Sequence, residues 1–329
     1  MAEIKKAVVT ENVTDNKRKA KTYRIVFWGW GWVWLHCLDA VNRLRERGQI
    51  EAVGITGNRL PPYAVLDGVS VIRPDEVRDL DPDYILVMNN VHEKEIREDI
   101  LALGFARDRI LSWRILEIPL FDFRKYAAIL ERKISIISND CWGGFLSHSL
   151  MLEHRSPFKN LYLKDWDYLK CLHDLEHYCL EAEPVFDRWQ EGTEIDEYPE
   201  YPVLRLDDID IYCNHDQDPD QAIEKWLRRR KKINMDDLFV EMRTGLKESE
   251  QQFEDLEQYP NRVCFVPYKS ELPHSCEVRK LRENHTWGKA VHENVRAGGG
   301  NVLFSMIDLL YSGKIVRRAE DRAEDGTEA

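Results

Sequence analysis

The chain of 329 residues carries 59 Asp and Glu against 47 Lys and Arg, a formal charge of −12, with 43% hydrophobic and 10% aromatic residues. That apolar content can offset the entropy of folding, which excludes a wholly disordered chain. A negative surface argues against general nucleic-acid binding, and no apolar run reaches the ~18 residues that a bilayer span needs. At roughly 150 residues per domain the length predicts two domains. Residues 1–21 lack the apolar centre of a signal peptide and read as a flexible arm. Seven Cys, an odd count without paired metal spacing, suggest reduced thiols and a cytoplasmic setting, at most peripheral to the inner face of the membrane.

The apolar run Ile25 to Trp28 predicts a buried strand, followed by Gly29 and Gly31 and then a helical spacing that ends on Gly48. IEAVGITGN, VSVI, DYILVMN and DRILSW follow as strands, with EKEIREDILALGF as an amphipathic helix stopped near Gly104. Strands alternating with helices at this interval predict an N-terminal Rossmann-like parallel-sheet domain over 22–125. FDFRKYAAILERK reads as a connecting helix ending at 126–133. ISIIS then opens a second α/β domain over 134–317, with helices in DWDYLKCLHDLEHYCL and QAIEKWLRRRKKI. Its strands are YPVLRL, DIYC, LFVEMR and RVCFVP. EAEPVFDRWQEGTEIDEYPE reads as an acidic, linker-like insertion, and 318–329 as a disordered tail.

Gly29 and Gly31 stand where a strand hands over to a helix, a turn that can present backbone N–H groups to a phosphate. Trp34 occupies the third small position of a dinucleotide fingerprint, and its bulk opposes close helix–strand packing. Asn58 stands where an acid would meet a ribose. A cofactor site at Gly29, Gly31 and Asn58 therefore competes with a purely architectural turn.

Ser138 to Gly144 lies at the exit of the ISIIS strand, where open α/β sheets bind ligands. Cys141 is a candidate nucleophile there, with Asn139, Trp142, Gly143 and Gly144 as ligand contacts and Ser156 downstream. His173 and His177 share a face on one predicted helix, a spacing that ordinary amphipathic helices also show. Asp208 and Asp210 form an Asp-x-Asp that could hold Mg²⁺ or Mn²⁺ against the diphosphate of a nucleotide-sugar. An exposed alternating strand would carry the same pattern. His215 is a candidate base beside them. The basic run after Trp226 offers Arg228 and Arg229 to phosphate, although five consecutive charges cannot share one helix face.

In layout the first domain resembles the Rossmann-like domains attached to glycosyltransferases and methyltransferases of bacterial surface-polysaccharide clusters. The second resembles an exopolysaccharide-biosynthesis family, domain-of-unknown-function family nineteen-nineteen. Ser138 to Gly144 matches its SNNCWGG-like loop with Asp140 in place of Asn, and Ser156-Pro157-Phe158 matches its SPF step. Asp208-Ile209-Asp210-Ile211 with His215 matches its next strand. Glu224-Lys225-Trp226, Arg228-Arg229, Ile233-Asn234 and Asp237-Leu238-Phe239 complete the order. The matches span about 134–270, whereas HTWGKAVHENVRAGGGNVLF fits the family less clearly.

The resemblance implies exopolysaccharide or capsule assembly and supplies no reaction. Three readings stay open. The first is a transferase acting on an activated sugar or phosphorylated, lipid-linked glycan, with Cys141, Asp208 and His215 catalytic and Trp226, Arg228, Arg229 and Asn234 at the ligand. The second is a non-catalytic nucleotide-sugar or glycan-binding module that scaffolds other polysaccharide-assembly proteins. The third is a Cys-dependent acyl transferase or hydrolase, which requires Cys141 and His215 within hydrogen-bond reach.

Overall fold

The computed structural model describes residues 20–193, 196–278 and 304–314. Residues 1–19 of the arm, the tail and the Gly298–Gly300 run lie outside the described residues. Strand β1 (Tyr23–Trp28) is the centre of the first sheet and leads into helix α1 (Trp32–Glu46). β2 (Ile50–Thr56) pairs on one side of it, and a small hairpin, β3 (Val65–Leu66) with β4 (Val69–Ser70), follows. β5 (Tyr84–Val87), α2 (Glu93–Ala102) and β6 (Ile110–Ser112) complete a fully parallel sheet of order β2-β1-β5-β6. VSVI thus shortens to a hairpin strand, while the other early strands stand as the pattern predicts.

The third fingerprint position is resolved differently from its sequence expectation. Trp34 is fully buried between α1 and β1, edge-on to Phe27 at 5.1 Å, and its Nε1–H donates to Asp67 at 2.7 Å. The indole fills the gap that it was expected to obstruct. At Gly29 φ is +121°, and a Cβ would stand 2.6 Å from the Met88 carbonyl oxygen, so the turn requires glycine for its own backbone. At Gly31 a Cβ would meet nothing within 4 Å.

Helix α3 (Phe123–Arg132) bridges to the second sheet, which β7 (Ser135–Ser138) begins. α4 (Trp142–Ser149) and α5 (Asp165–His173) follow. An antiparallel meander comes next: β8 (Pro184–Glu191), β9 (Glu200–Leu206) and β10 (Ile209–Tyr212). α6 (Pro219–Arg230), β11 (Leu238–Arg243), α7 (Lys247–Glu254), β12 (Arg262–Val266) and β13 (Ser275–Glu277) return to the second sheet. Its order is β13-β12-β11-β7, all parallel, and α8 (Met306–Ser312) packs on α3. The chain is therefore α/β with two parallel sheets, and one buried cluster runs from Phe27 and Trp34 to Trp142 and Phe265. Among the described residues no helix is long and apolar enough to cross a membrane.

The stretch read as a linker-like insertion is largely β8 and the β8–β9 loop, an edge strand that fully buries only Pro184 and so carries charged residues along its length. The helix predicted through His173 and His177 is interrupted after His173 and resumes as a π-helical turn over His177–Glu181. Asp174 makes the break, and His177 bonds Asp207 at 2.7 Å and Glu181 at 3.2 Å, so it does not face a site with His173.

Candidate active site

β7 delivers the second domain's densest polar cluster to its carboxyl end. Ser138 Oγ accepts from the Gly143 amide at 3.1 Å, and Asp140 Oδ1 accepts from the Trp142 amide at 2.8 Å. These side chains satisfy the first free N–H groups of α4 and so start a helix where the Gly-Gly pair reads as loop. Cys141 occupies the N-cap position and is the only one of the seven cysteines that is not buried. Arg243 Nε pairs with Asp140 Oδ2 at 2.6 Å, which fixes the turn from beneath.

The Cys141 thiol does not stand alone. Its Sγ lies 3.3 Å from His215 Nε2, 74 residues along the chain. His215 Nδ1 lies 2.8 Å from Glu197 Oε2. Hydrogen bonds from His215 and then Tyr198 hold Glu197 below the ordinary carboxylate range, so it is an acceptor. That assigns the imidazole proton to Nδ1 and leaves the Nε2 lone pair facing the sulfur. Burial, then the Asp140 charge, pushes the Cys141 thiol up to about 12, with Arg243 acting in the opposite sense. At neutral pH the group is a thiol beside a base, not a preformed thiolate.

Glu197 is a residue that sequence reasoning missed. It comes from the β8–β9 loop, whose neck closes through Gly192: a Cβ there would stand 2.2 Å from the Tyr198 carbonyl oxygen. Asp196 pins the loop by accepting from the Thr193 amide at 2.8 Å and from Asn214 Nδ2 at 3.1 Å. One acid among many in this stretch carries no local signal. Only the Gly192 turn and its distance from β9 could have pointed to it.

The other candidates have different surroundings. Trp142 is fully buried against Phe239 and Phe265 and contacts no ligand space. Asn139 bridges β7 to β11 through the Arg243 backbone, at 3.0 Å to its O and 2.9 Å from its N. Gly143 lets α4 lie on β7, since a Cβ would stand 2.9 Å from Ser138 Oγ. Gly143, Gly144 and Ser156 surround a cavity of only about 10 Å³, at most one water. Trp226 is buried edge-on to Phe158, and Asn234 caps the β7 entrance through Ser135 Oγ, Arg132 O and Lys133 O.

Asp207 and Asp208 are the two turn residues of the β9–β10 hairpin, where short polar side chains tolerate the positive φ of Asp207. Asp208 is bonded to Lys170 and to Tyr178 Oη, the latter at 2.7 Å. Asp210 points to the other face, 2.7 Å from Arg188 and 3.0 Å from Arg205. Cations thus neutralise the two carboxylates separately, and Asp208 and His215 lie beyond opposite ends of β10. Among the described residues no group of three or more His, Cys, Asp or Glu is placed to hold a metal. Arg228 pairs with Glu224 at 3.6 Å while Arg229 Nη1 donates to Lys159 O at 2.8 Å, so the basic run diverges as its helical spacing requires. In the first sheet, Asn58 accepts from Trp28 Nε1 and donates to Asp99, both at 3.2 Å.

Behind α4, burial and then the charges of Lys159, Arg229, His148 and Lys232 hold His154 down to about 4. The unfolded chain takes up a proton near the ordinary value of 6.5, which the folded chain refuses until about pH 4. Stability carried by this group is therefore complete above pH 6.5 and lost as pH falls towards 4. His154→Gln is expected to flatten the fall in melting temperature between pH 7 and 5, read by thermal denaturation.

Sheet and site together define an α/β protein with a cysteine–histidine–carboxylate relay at a strand's carboxyl end. The chain belongs to the family described as Domain of unknown function (DUF1919), whose model matches residues 113–304. Residues 21–111 match the family described as C2185-like, N-terminal. A Haemophilus influenzae protein described as "Uncharacterized protein" is 33% identical over 148 residues, covering 42% of this chain and 68% of the relative.

Proposed function

We propose that the chain is a cysteine-dependent acyl transferase or hydrolase. The observation that carries this is the relay Glu197–His215–Cys141, with contacts of 2.8 and 3.3 Å. In this reading the Sγ–H proton passes to His215 Nε2 as sulfur attacks an acyl carbonyl. The carbonyl–leaving-group bond then breaks, and the leaving group takes that proton from His215. An acceptor hydroxyl or water, deprotonated by the same nitrogen, cleaves the thioester and the thiol is restored. Glu197 stabilises the imidazolium formed in each half-reaction.

The resemblance to exopolysaccharide-biosynthesis proteins makes a sugar hydroxyl the acceptor that we favour, in a polysaccharide-assembly setting. Sugar transfer around a cation at Asp208 and Asp210 has less support, because each carboxylate already has a cationic partner. A nucleotide-binding role for the first sheet rests on its glycine turn alone.

p-Nitrophenyl acetate tests the proposal. The full chain should release a burst of nitrophenolate equal to one per chain and carry one acetyl group on the Cys141 peptide. Cys141→Ala should show neither. A wild-type protein without a burst, or an adduct elsewhere, would sink the reading.

A further inference from the structure

A roomy cavity lies away from the thiol. It has a volume of about 830 Å³, within the usual range of small-molecule sites, and opens between the β6 entrance and the β7 entrance. Cys141 lies beyond the last residue of β7, Ser138, whereas Ile134, which lines the cavity, precedes the first, so the two places are at opposite ends of that strand. The floor is apolar: Ile110, Ile129 and Ile134 are buried beneath it, and Leu130, Met151 and Leu152 are partly exposed within it.

The lining charges are unbalanced. Arg97, Arg107, Lys133, Arg155 and Lys232 face only Asp108 and Glu153, in a chain whose overall charge is −12. Arg97 is held by Glu93 at 3.1 Å, and Glu153 is shared between Arg155 at 2.5 Å and Lys232 at 2.9 Å. Among the described residues neither Arg107 nor Lys133 has an ion-pair partner. These two come from opposite walls, the turn before β6 and the C-cap of α3. Leaving like charges at a shared mouth is unfavourable unless an anion joins them.

We propose that this cleft binds a lipid phosphate, its chain against the Leu130–Met151–Leu152 floor and its head group between Arg107 and Lys133. Charge complementarity identifies the head, because a phosphate accepts from both cations at once. The apolar floor identifies the chain, because a free anion would leave it in water. The site lies apart from the relay and makes no use of it, so it stands or falls independently of acyl transfer.

Titration calorimetry with n-decyl phosphate, n-decanol and inorganic phosphate separates the contributions. Saturable binding of decyl phosphate, tighter than either control, is expected. The double variant Arg107→Gln/Lys133→Asn should bind about tenfold more weakly or worse. Asn suits the positive φ of Lys133, which lies at 54°, so the fold is kept. Arg107→Lys/Lys133→Arg should restore binding, which a general loss of folding would not allow. Equal binding of decanol, equal binding of inorganic phosphate, or an unchanged double variant would each overturn the proposal.

Discussion

His215→Ala is expected to slow acylation of Cys141 by about 10²–10⁴-fold at neutral pH, the usual contribution of a positioned base. The change in pH dependence is more diagnostic than the rate. Burial raises the Cys141 thiol to about 12, so without His215 the reactive thiolate is a minute fraction at neutral pH. Below pH 12 that fraction grows tenfold per pH unit, and the variant's acylation rate should climb with it. In the proposed relay the proton leaves to Nε2, so the wild-type rate should depend far less steeply on pH. Glu197→Gln should have a smaller effect, since the carboxylate is about half exposed and water can replace part of its field. Burst rates measured against pH for the two variants check the whole relay. A His215→Ala variant with the wild-type rate and profile would remove His215 from the mechanism.

Trp142→Ala should cost about 3–5 kcal/mol of folding stability, the range for a large aromatic removed from a closed core. The side chain is wholly buried and lies 5.5 Å from Phe265 and 6.1 Å from Phe239, centroid to centroid. Trp142→Phe should cost much less. Besides keeping most of the contact, it removes an indole N–H that is buried without an acceptor. Urea unfolding separates this account from the ligand-contact reading: a contact residue would lose substrate affinity and leave the unfolding midpoint in place. The same helix turn carries Cys141, so the alanine variant should also lose the acetyl burst.

Much of the frame was legible along the chain. Ile25–Trp28, Tyr84–Val87, Ile136–Ile137 and Leu238–Val240 are apolar runs because both faces of their parallel strands are covered. Helices such as α1 and α6 show their period because one face is buried and the other is wet. Where burial is one-sided and weak, the signal fades. β8 buries only Pro184 fully and carries charged residues on an exposed edge, so it reads as a linker. α4 begins with Trp-Gly-Gly and depends on Asp140 and Ser138 to satisfy its first amides, so it reads as a loop. The Asp-x-Asp reads as a metal motif, although a hairpin turn and an outward strand position explain both residues.

By itself the sequence determined that Cys141 leaves a strand's carboxyl end in an α/β domain, because strand, turn and helix are written in local periodicity and turn chemistry. It also marked His215 as a polar residue at another strand's exit. Only the tertiary structure decided that these two meet, that Asp208 does not join them, and that Glu197 does. Side-chain periodicity records which way a residue faces along its own element. Which elements then face each other depends on the path of the chain between them, 74 residues from Cys141 to His215, and on the hairpin that returns Glu197 to the imidazole.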